Sequence, residues 1–269
     1  MLKKLNNLSE ISSLYQAYII DLWGVMHDGV KINPEALKAV KNLEKLGKRI
    51  TFLSNAPRPN KNVNSFLKKI NFEENFLNYV MTSGEAAVKS LQEKKFGKKF
   101  YHIGPPRDEP LFEGLEKDKT VIEKCEFILC TGLFDENMTE LNYYKKLLEK
   151  HKHKTFVCTN PDLTVFKGGA EEFCAGAVAK IFENIGGNVI YFGKPHREVY
   201  EVCLKKNEKT LAIGDNLNTD IKGANKMNLD SIFITDGVHR EEFKNENDLA
   251  DLLKKYKVTA NYFQKNLKW

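Results

Sequence analysis

The sequence predicts an α/β fold: a doubly wound parallel sheet with a second α/β domain inserted into it. The first observation is a set of short apolar runs of strand length. They are AYII at Ala17–Ile20, ITFL at Ile50–Leu53, YVM at Tyr79–Met81, VIYF at Val189–Phe192, TLAI at Thr210–Ile213 and SIFI at Ser231–Ile234. The second is that helical patterns follow them. In PEALKAVKNLEKLGKR, Ala36, Leu37, Val40, Leu43 and Leu46 keep helical spacing behind an opening Pro34. Near-continuous apolar strands alternating with helices indicate a parallel sheet covered on both faces. The third is a separate series in the middle of the chain. There KFYHIG, CEFILCTG and TFVCTN read as strands, and ELNYYKKLLEKH and EEFCAGAVAKIFENIGG as helices. We therefore expect a core of residues 1–84 and 188–269 and an insert of 85–187, the alternative being one continuous sheet of nine or more strands. NYFQKNLKW, near the end, receives no assignment.

Composition narrows the function classes. The chain has 269 residues, 42% hydrophobic and 29% charged, enough to bury a sizeable core and not a disordered composition. No apolar stretch approaches the ~18–20 residues of a membrane span, and the first ten residues lack a secretory apolar core. We expect a cytoplasmic protein with no membrane partner. The net charge of +6 comes from lysines scattered among Glu and Asn, such as Lys38, Lys41, Lys45 and Lys48. That distribution reads as a solvated surface rather than a nucleic-acid stripe. Cys125, Cys130, Cys158, Cys174 and Cys203 are odd in number and have no C-x-x-C spacing. They read as reduced core thiols, not a disulfide frame or a zinc site. His151-Lys152-His153-Lys154 reads as an exposed loop.

Polar groups follow the apolar strands. Asp21 comes after AYII, Ser54-Asn55 after ITFL, Gly193-Lys194-Pro195-His196 after VIYF, and Gly214-Asp215-Asn216 after TLAI, with Asp220 in the same loop. The carboxyl ends of strands in an open parallel sheet share one edge, where ligands bind. Carboxylates there suit Mg2+. A hydroxyl, backbone N–H groups and a lysine suit phosphate oxygens. A carboxylate can also attack phosphorus. Each feature has an ordinary reading as a turn, a cap or a surface lysine. Their coincidence at four strand ends favours phosphoryl transfer. GDNLNTD also has a superficial likeness to a calcium loop, but Leu217 stands where that loop needs Asp or Asn.

With DLWGVMHDG, SNA, GKPH and GDNLNTD in this order, the chain resembles the haloacid dehalogenase superfamily of aspartate-nucleophile phosphotransferases. CTNPDLTVF and CAGAVAKIFENIGG resemble its class IIA, the branch of para-nitrophenyl phosphatases and sugar-phosphate phosphatases with a large α/β cap. The resemblance implies that Asp21 is nucleophile and metal ligand, and that Ser54 and Asn55 bind the phosphoryl group. It implies that Lys194 neutralises charge on both, and that Asp215 holds Mg2+ with Asp220 supporting it directly or through water. It also implies that the 85–187 cap closes over substrate and sets specificity, with Asn160 of the Asn160-Pro161-Asp162 loop facing it.

One residue departs from that pattern. The first motif of the superfamily is D-x-D, whose second Asp protonates the leaving group and then activates water. Here the motif is Asp21-Leu22-Trp23. An indole donates one hydrogen bond and does no acid–base chemistry at neutral pH, although its backbone carbonyl can still serve the metal. A positioned acid contributes ~10²–10⁴-fold, so hydrolysis is expected to be slowed rather than lost. His27 and Asp28 are the nearest substitutes. The leading expectation is a Mg2+-dependent phosphatase for a small phosphorylated metabolite, working through an aspartyl-phosphate. The alternatives are a phosphotransferase or a catalytically weakened phosphometabolite-binding regulator. The substrate's identity and the oligomeric state, a homo-oligomer included, stay open.

Overall fold

A computed structural model describes residues 2–167 and 170–269. In chain order β1 (Lys3–Lys4), β2 (Ala17–Ile20), α1 (Pro34–Lys45), β3 (Arg49–Ser54), α2 (Asn60–Lys69), β4 (Val80–Thr82) and α3 (Ser83–Gln92) come first. Then follow β5 (Phe100–Ile103), β6 (Phe127–Cys130), α4 (Leu141–Glu149), β7 (Thr155–Cys158), β8 (Thr164–Lys167), β9 (Ala170–Phe173), α5 (Ala175–Asn184) and β10 (Asn188–Tyr191). The chain ends with α6 (Arg197–Glu201), β11 (Thr210–Gly214), α7 (Lys222–Lys226), β12 (Asp230–Ile234), α8 (Leu249–Tyr256) and β13 (Tyr262–Gln264). It packs as two units. The first is Met1–Ser54, Phe66–Met81 and Lys194–Trp269, and the second is Asn55–Ser65 and Thr82–Gly193.

The first unit holds a seven-stranded sheet in the order β1-β13-β12-β11-β2-β3-β4. From β2 the chain steps to β3 and β4, whereas from β11 it steps the other way to β12 and β13. The winding direction therefore reverses between β2 and β11, which pair in parallel. Every residue of β2 and of β11 is buried, as expected of strands covered on both faces. α1 starts where Asn33 accepts from the N–H groups of Glu35 and Ala36 and Pro34 takes the first turn, where the missing N–H of proline costs nothing. Its buried face is Ala36, Ala39, Val40 and Leu43. Leu46, expected on that face, is the C-cap and is 55% exposed. The unassigned C-terminal stretch supplies β13, which runs parallel to β12 and β1.

The second unit holds a four-stranded parallel sheet, β10-β7-β6-β5. One face carries a core of Ile128, Cys130, Phe156, Cys158, Val178 and Phe182, and the other a core of Ala87, Phe100, Phe112, Leu129 and Val157. All five cysteines are free and buried. β8 and β9 form an antiparallel pair.

Three sequence expectations are corrected by the structure. VIYF is expected as a strand of the core, with the core resuming at residue 188, yet Asn188–Tyr191 pairs with β7 in the second unit's sheet. Its alternate side chains explain the choice: Val189 and Tyr191 pack on one core of that sheet, Ile190 and Phe192 on the other. Residues 55–65, expected in the core, also belong to the second unit, tied there by Thr82 Oγ1 donating to Arg58 O at 2.7 Å and Asn60 N donating to Glu85 Oε2 at 2.9 Å. The EEFCAGAVAKIFENIGG pattern is helical only from Ala175, because Ala170–Phe173 pairs with Thr164–Lys167.

Candidate active site

Three neighbouring strands of the first unit, β11, β2 and β3, end side by side. Asp215 follows Gly214, Asp21 follows Ile20, and Ser54 is the last residue of β3. Asp21 is still held in the ladder, its N–H donating to Ile213 O at 2.9 Å. This is the carboxyl edge of the sheet at the point where the winding reverses, the place where open α/β sheets leave a crevice. All three residues are buried.

A tight turn adds the third carboxylate. The helical turn Leu217–Ile221 brings Asp220 back so that its Oδ2 accepts from Asn216 N at 3.1 Å. Asp21, Asp215 and Asp220 each offer a carboxylate oxygen, and these lie within 4.8 Å of one another. Lys194 is buried between two of them, its Nζ donating to Asp21 Oδ1 at 2.5 Å and to Asp220 Oδ1 at 2.7 Å. Asp215 Oδ2 instead accepts from Val238 N at 2.9 Å. Gly24, at φ +84°, and Gly237 press their backbones so close to Asp215 that a Cβ on either would overlap its carboxylate. Lys194 is expected from a strand of this same sheet. It arrives instead on the segment that leaves β10, a strand of the other sheet.

The electrostatics of the cluster are unbalanced. Burial, then the Asp220 and Asp215 charges, push Asp21 well above the ordinary carboxylate range, against the pull of Lys194. Burial and Asp220 raise Asp215 to about 7. Burial works against the Lys194 ammonium, but Asp21 and Asp220 hold it above its ordinary value. With all groups ionised, three buried carboxylates face one buried ammonium. An oxygen-ligated divalent cation suits that surplus, so the donor set fits the Mg2+ that the resemblance implies.

A pH dependence follows. Asp215 binds its proton more tightly folded, at about 7, than at its ordinary 3.8. Over that interval the folded state holds more protons than the unfolded one, so stability falls as pH rises. Urea unfolding in EDTA is expected to show this loss between about pH 4 and pH 7. Saturating Mg2+ is expected to flatten or reverse it, and a metal-free stability that climbs steadily over the range would contradict the uncompensated charge.

Trp23 is half-buried, and its ring lies edge to face with His27, the centroids 5.2 Å apart. The ring covers Gly29, where a Cβ would collide with it. His27 Nδ1 accepts from Gly29 N at 3.0 Å, which leaves the ring proton on Nε2, and burial lowers its pKa to about 4. Asp28 Oδ1 accepts from the Val30 and Lys31 N–H groups, both at 2.9 Å. Those bonds, Lys31 first, hold its carboxyl below the ordinary range.

Asn55 and Asn160 lie in the second unit. Asn55 Nδ2 donates to Asp162 Oδ1 at 3.1 Å, and Asn160 Oδ1 accepts from Asp162 N at 3.1 Å. Sequence reasoning missed Val238 and His239, both beyond the carboxyl end of β12. The one signal was that SIFI is a further strand ending on the same edge.

A model of the haloacid dehalogenase-like hydrolase family matches residues 18–116, and a second, of HAD-hydrolase-like proteins, matches 191–266. The matched segments carry Asp21, Ser54, Lys194, Asp215 and Asp220. The chain is a haloacid dehalogenase-type hydrolase. A solved hydrolase of the haloacid dehalogenase-like family from Brucella suis is 28% identical, with a TM-score of 0.83 over 98% of this chain and 99% of that one. The 5'-nucleotidase YutF of Bacillus subtilis is 24% identical over 239 residues, 85% of this chain and 90% of its own. A 4-nitrophenylphosphatase of Schizosaccharomyces pombe is 27% identical over 282 residues, covering 90% and 92%. This hydrolase is thus a phosphoric monoester hydrolase, with relatives named as phosphatases that match 85–90% of its length. Among its described residues, no helix is long and apolar enough to cross a membrane.

Proposed function

We propose that the hydrolase is a class IIA, Mg2+-dependent phosphatase that acts on a small phosphorylated metabolite through an aspartyl-phosphate on Asp21. The observation that carries this reading is the buried group of three carboxylates on one lysine at the reversal of the sheet. The relatives named as nucleotidase and nitrophenylphosphatase support the substrate class.

In this reading an Asp21 carboxylate oxygen attacks phosphorus and the bond to the ester oxygen breaks. Water then attacks the phosphorus of the aspartyl-phosphate, restoring Asp21 and releasing inorganic phosphate. Lys194, charged and bonded to Asp21 Oδ1, favours the ionised nucleophile and faces the incoming phosphoryl charge. Ser54, with Asn55 beside it, holds phosphoryl oxygens. Asp21, Asp215, Asp220 and the Trp23 carbonyl are the groups that would hold Mg2+, which supplies positive charge for the carboxylates and phosphoryl oxygens. The second unit, with Asn160, carries substrate preference.

The test is turnover of para-nitrophenyl phosphate with Mg2+ and with EDTA. Activity is expected only with the cation. Asp215→Asn is expected to weaken calorimetric Mg2+ binding by at least tenfold. Equal turnover in EDTA, or equal Mg2+ affinity in the variant, would overturn the metal assignment.

A further inference from the structure

His239 is a buried titratable residue with no task in the phosphoryl-transfer reaction. It follows Val238, whose N–H donates to Asp215. Its Nε2 accepts from Leu217 N at 3.0 Å, in a buried bond. Its Nδ1 faces Glu242 Oε1 at 2.6 Å. An amide N–H can only donate, so Nε2 must present its lone pair, and the ring proton sits on Nδ1 toward Glu242. Glu242 is fixed in turn. Lys255 Nζ donates to its Oε2 at 2.6 Å, and the Tyr256 hydroxyl lies 2.8 Å from Oε1 and 3.0 Å from Oε2. The imidazole is wedged edge to face on the Tyr256 ring at 4.7 Å.

The Leu217 N–H opens the turn that carries Asp220. The neighbouring donors of that loop are satisfied from within it: Asn216 N by Asp220 Oδ2, and Asn218 N by Asn216 Oδ1. The Leu217 N–H instead reaches a side chain from another element, α8 being linked to it through Glu242. One short segment, Gly237–Glu242, therefore touches both carboxylate-bearing parts of the loop. It meets Asp215 through the Val238 N–H and the Asp220 turn through His239.

We propose that His239, oriented by Glu242, is a positioning residue that sets the spacing of Asp215 and Asp220 for the divalent cation. The proposal rests on the cation reading of those carboxylates. A residue that orients a metal's ligands without touching the metal commonly changes affinity by 10–100-fold. His239 has that effect here by fixing where the Leu217–Ile221 turn begins, and Glu242 has it by fixing which ring nitrogen faces Leu217.

The experiment is Mg2+ titration calorimetry on the wild type, Asp215→Asn, His239→Ala, His239→Gln and Glu242→Gln, with thermal unfolding of each in EDTA as the folding control. His239→Ala is expected to bind Mg2+ about 10–100-fold more weakly. His239→Gln, whose amide oxygen can accept from Leu217 N, is expected to recover part of that loss, and Glu242→Gln to fall between it and the wild type. A purely structural His239 would lower the EDTA midpoint and leave the Mg2+ affinity of the folded variants unchanged. That result in His239→Gln and Glu242→Gln, with Asp215→Asn still weakened, overturns the role of His239 alone. Wild type and Asp215→Asn binding Mg2+ equally would overturn the cation reading and this inference with it.

Discussion

Asp21→Asn is expected to reduce para-nitrophenyl phosphate turnover on the order of 10⁶-fold, the scale on which removal of a covalent nucleophile costs an enzyme. The amide oxygen of Asn is neutral and a poor attacking group, and no other side chain in the cluster can take its place. Asp215 and Asp220 are the other carboxylates near Lys194. Asp215 Oδ2 is bound to Val238 N, and Asp220 is bound to Lys194 and Asn216 N. Loss of fold is not the expected cause. Burial first, and then the Asp220 and Asp215 charges, hold Asp21 well above its ordinary pKa. Removing the charge relieves the repulsion, so the variant is expected to unfold in EDTA at the same temperature as the wild type or above it. A variant with an unchanged midpoint and more than a hundredth of wild-type turnover would show that another group attacks phosphorus.

Much of this arrangement is legible in the sequence because it depends on short-range rules. AYII and TLAI are apolar without alternation, which marks strands buried on both faces, and a polar residue directly after such a strand must surface at its carboxyl edge. Asp21, Ser54 and Asp215 obey that rule and come together on adjacent strands. The carboxylate of Asp220 was placed by its spacing from Asp215 within one loop. Lys194 reached the cluster by a route that spacing could not reveal, since VIYF reads the same whichever sheet receives it. The choice was made by non-local packing of Val189, Ile190, Tyr191 and Phe192 against residues distant in sequence. EEF preceding α5 is a similar case, where pairing with Thr164–Lys167 overrides a helical pattern. His239 was invisible for a third reason. Its partner is a backbone N–H, Leu217, and no residue type at position 217 announces that its amide takes its acceptor from outside the loop.

Turnover is expected to depend strongly on the leaving group, because the position after Leu22 is an indole, which does no acid–base chemistry at neutral pH. Para-nitrophenolate leaves without protonation, whereas a sugar or simple alkyl alcohol leaves as a basic alkoxide that needs an acid. Neither nearby substitute holds a proton suited to that step at neutral pH. His27 is neutral, with Nδ1 accepting from Gly29 N and its pKa lowered to about 4 by burial, so its remaining ring proton is far too weakly acidic. Asp28 is held ionised by the Lys31 and Val30 N–H groups. Lys194 keeps its proton under the pull of Asp21 and Asp220. The wild type is therefore expected to hydrolyse the aryl ester measurably with Mg2+ and simple alkyl phosphates far more slowly. Trp23→Asp is expected to narrow that gap by up to the ~10²–10⁴ that a positioned acid supplies, raising kcat/KM for alkyl esters and leaving aryl kcat/KM nearly unchanged. The substitution removes a half-buried ring packed on His27 and Gly29, so its thermal midpoint is the control, and a fall is expected. The readout that decides is the ratio of aryl to alkyl kcat/KM, which cancels any loss of folded enzyme. Water attack on the aspartyl-phosphate lacks the same base, so a burst of nitrophenol ahead of slow steady turnover is expected in the wild type and a smaller burst in Trp23→Asp. Rapid wild-type hydrolysis of alkyl phosphates, unaffected by His27→Ala or Asp28→Asn, would show that the proton comes from elsewhere, the substrate itself included.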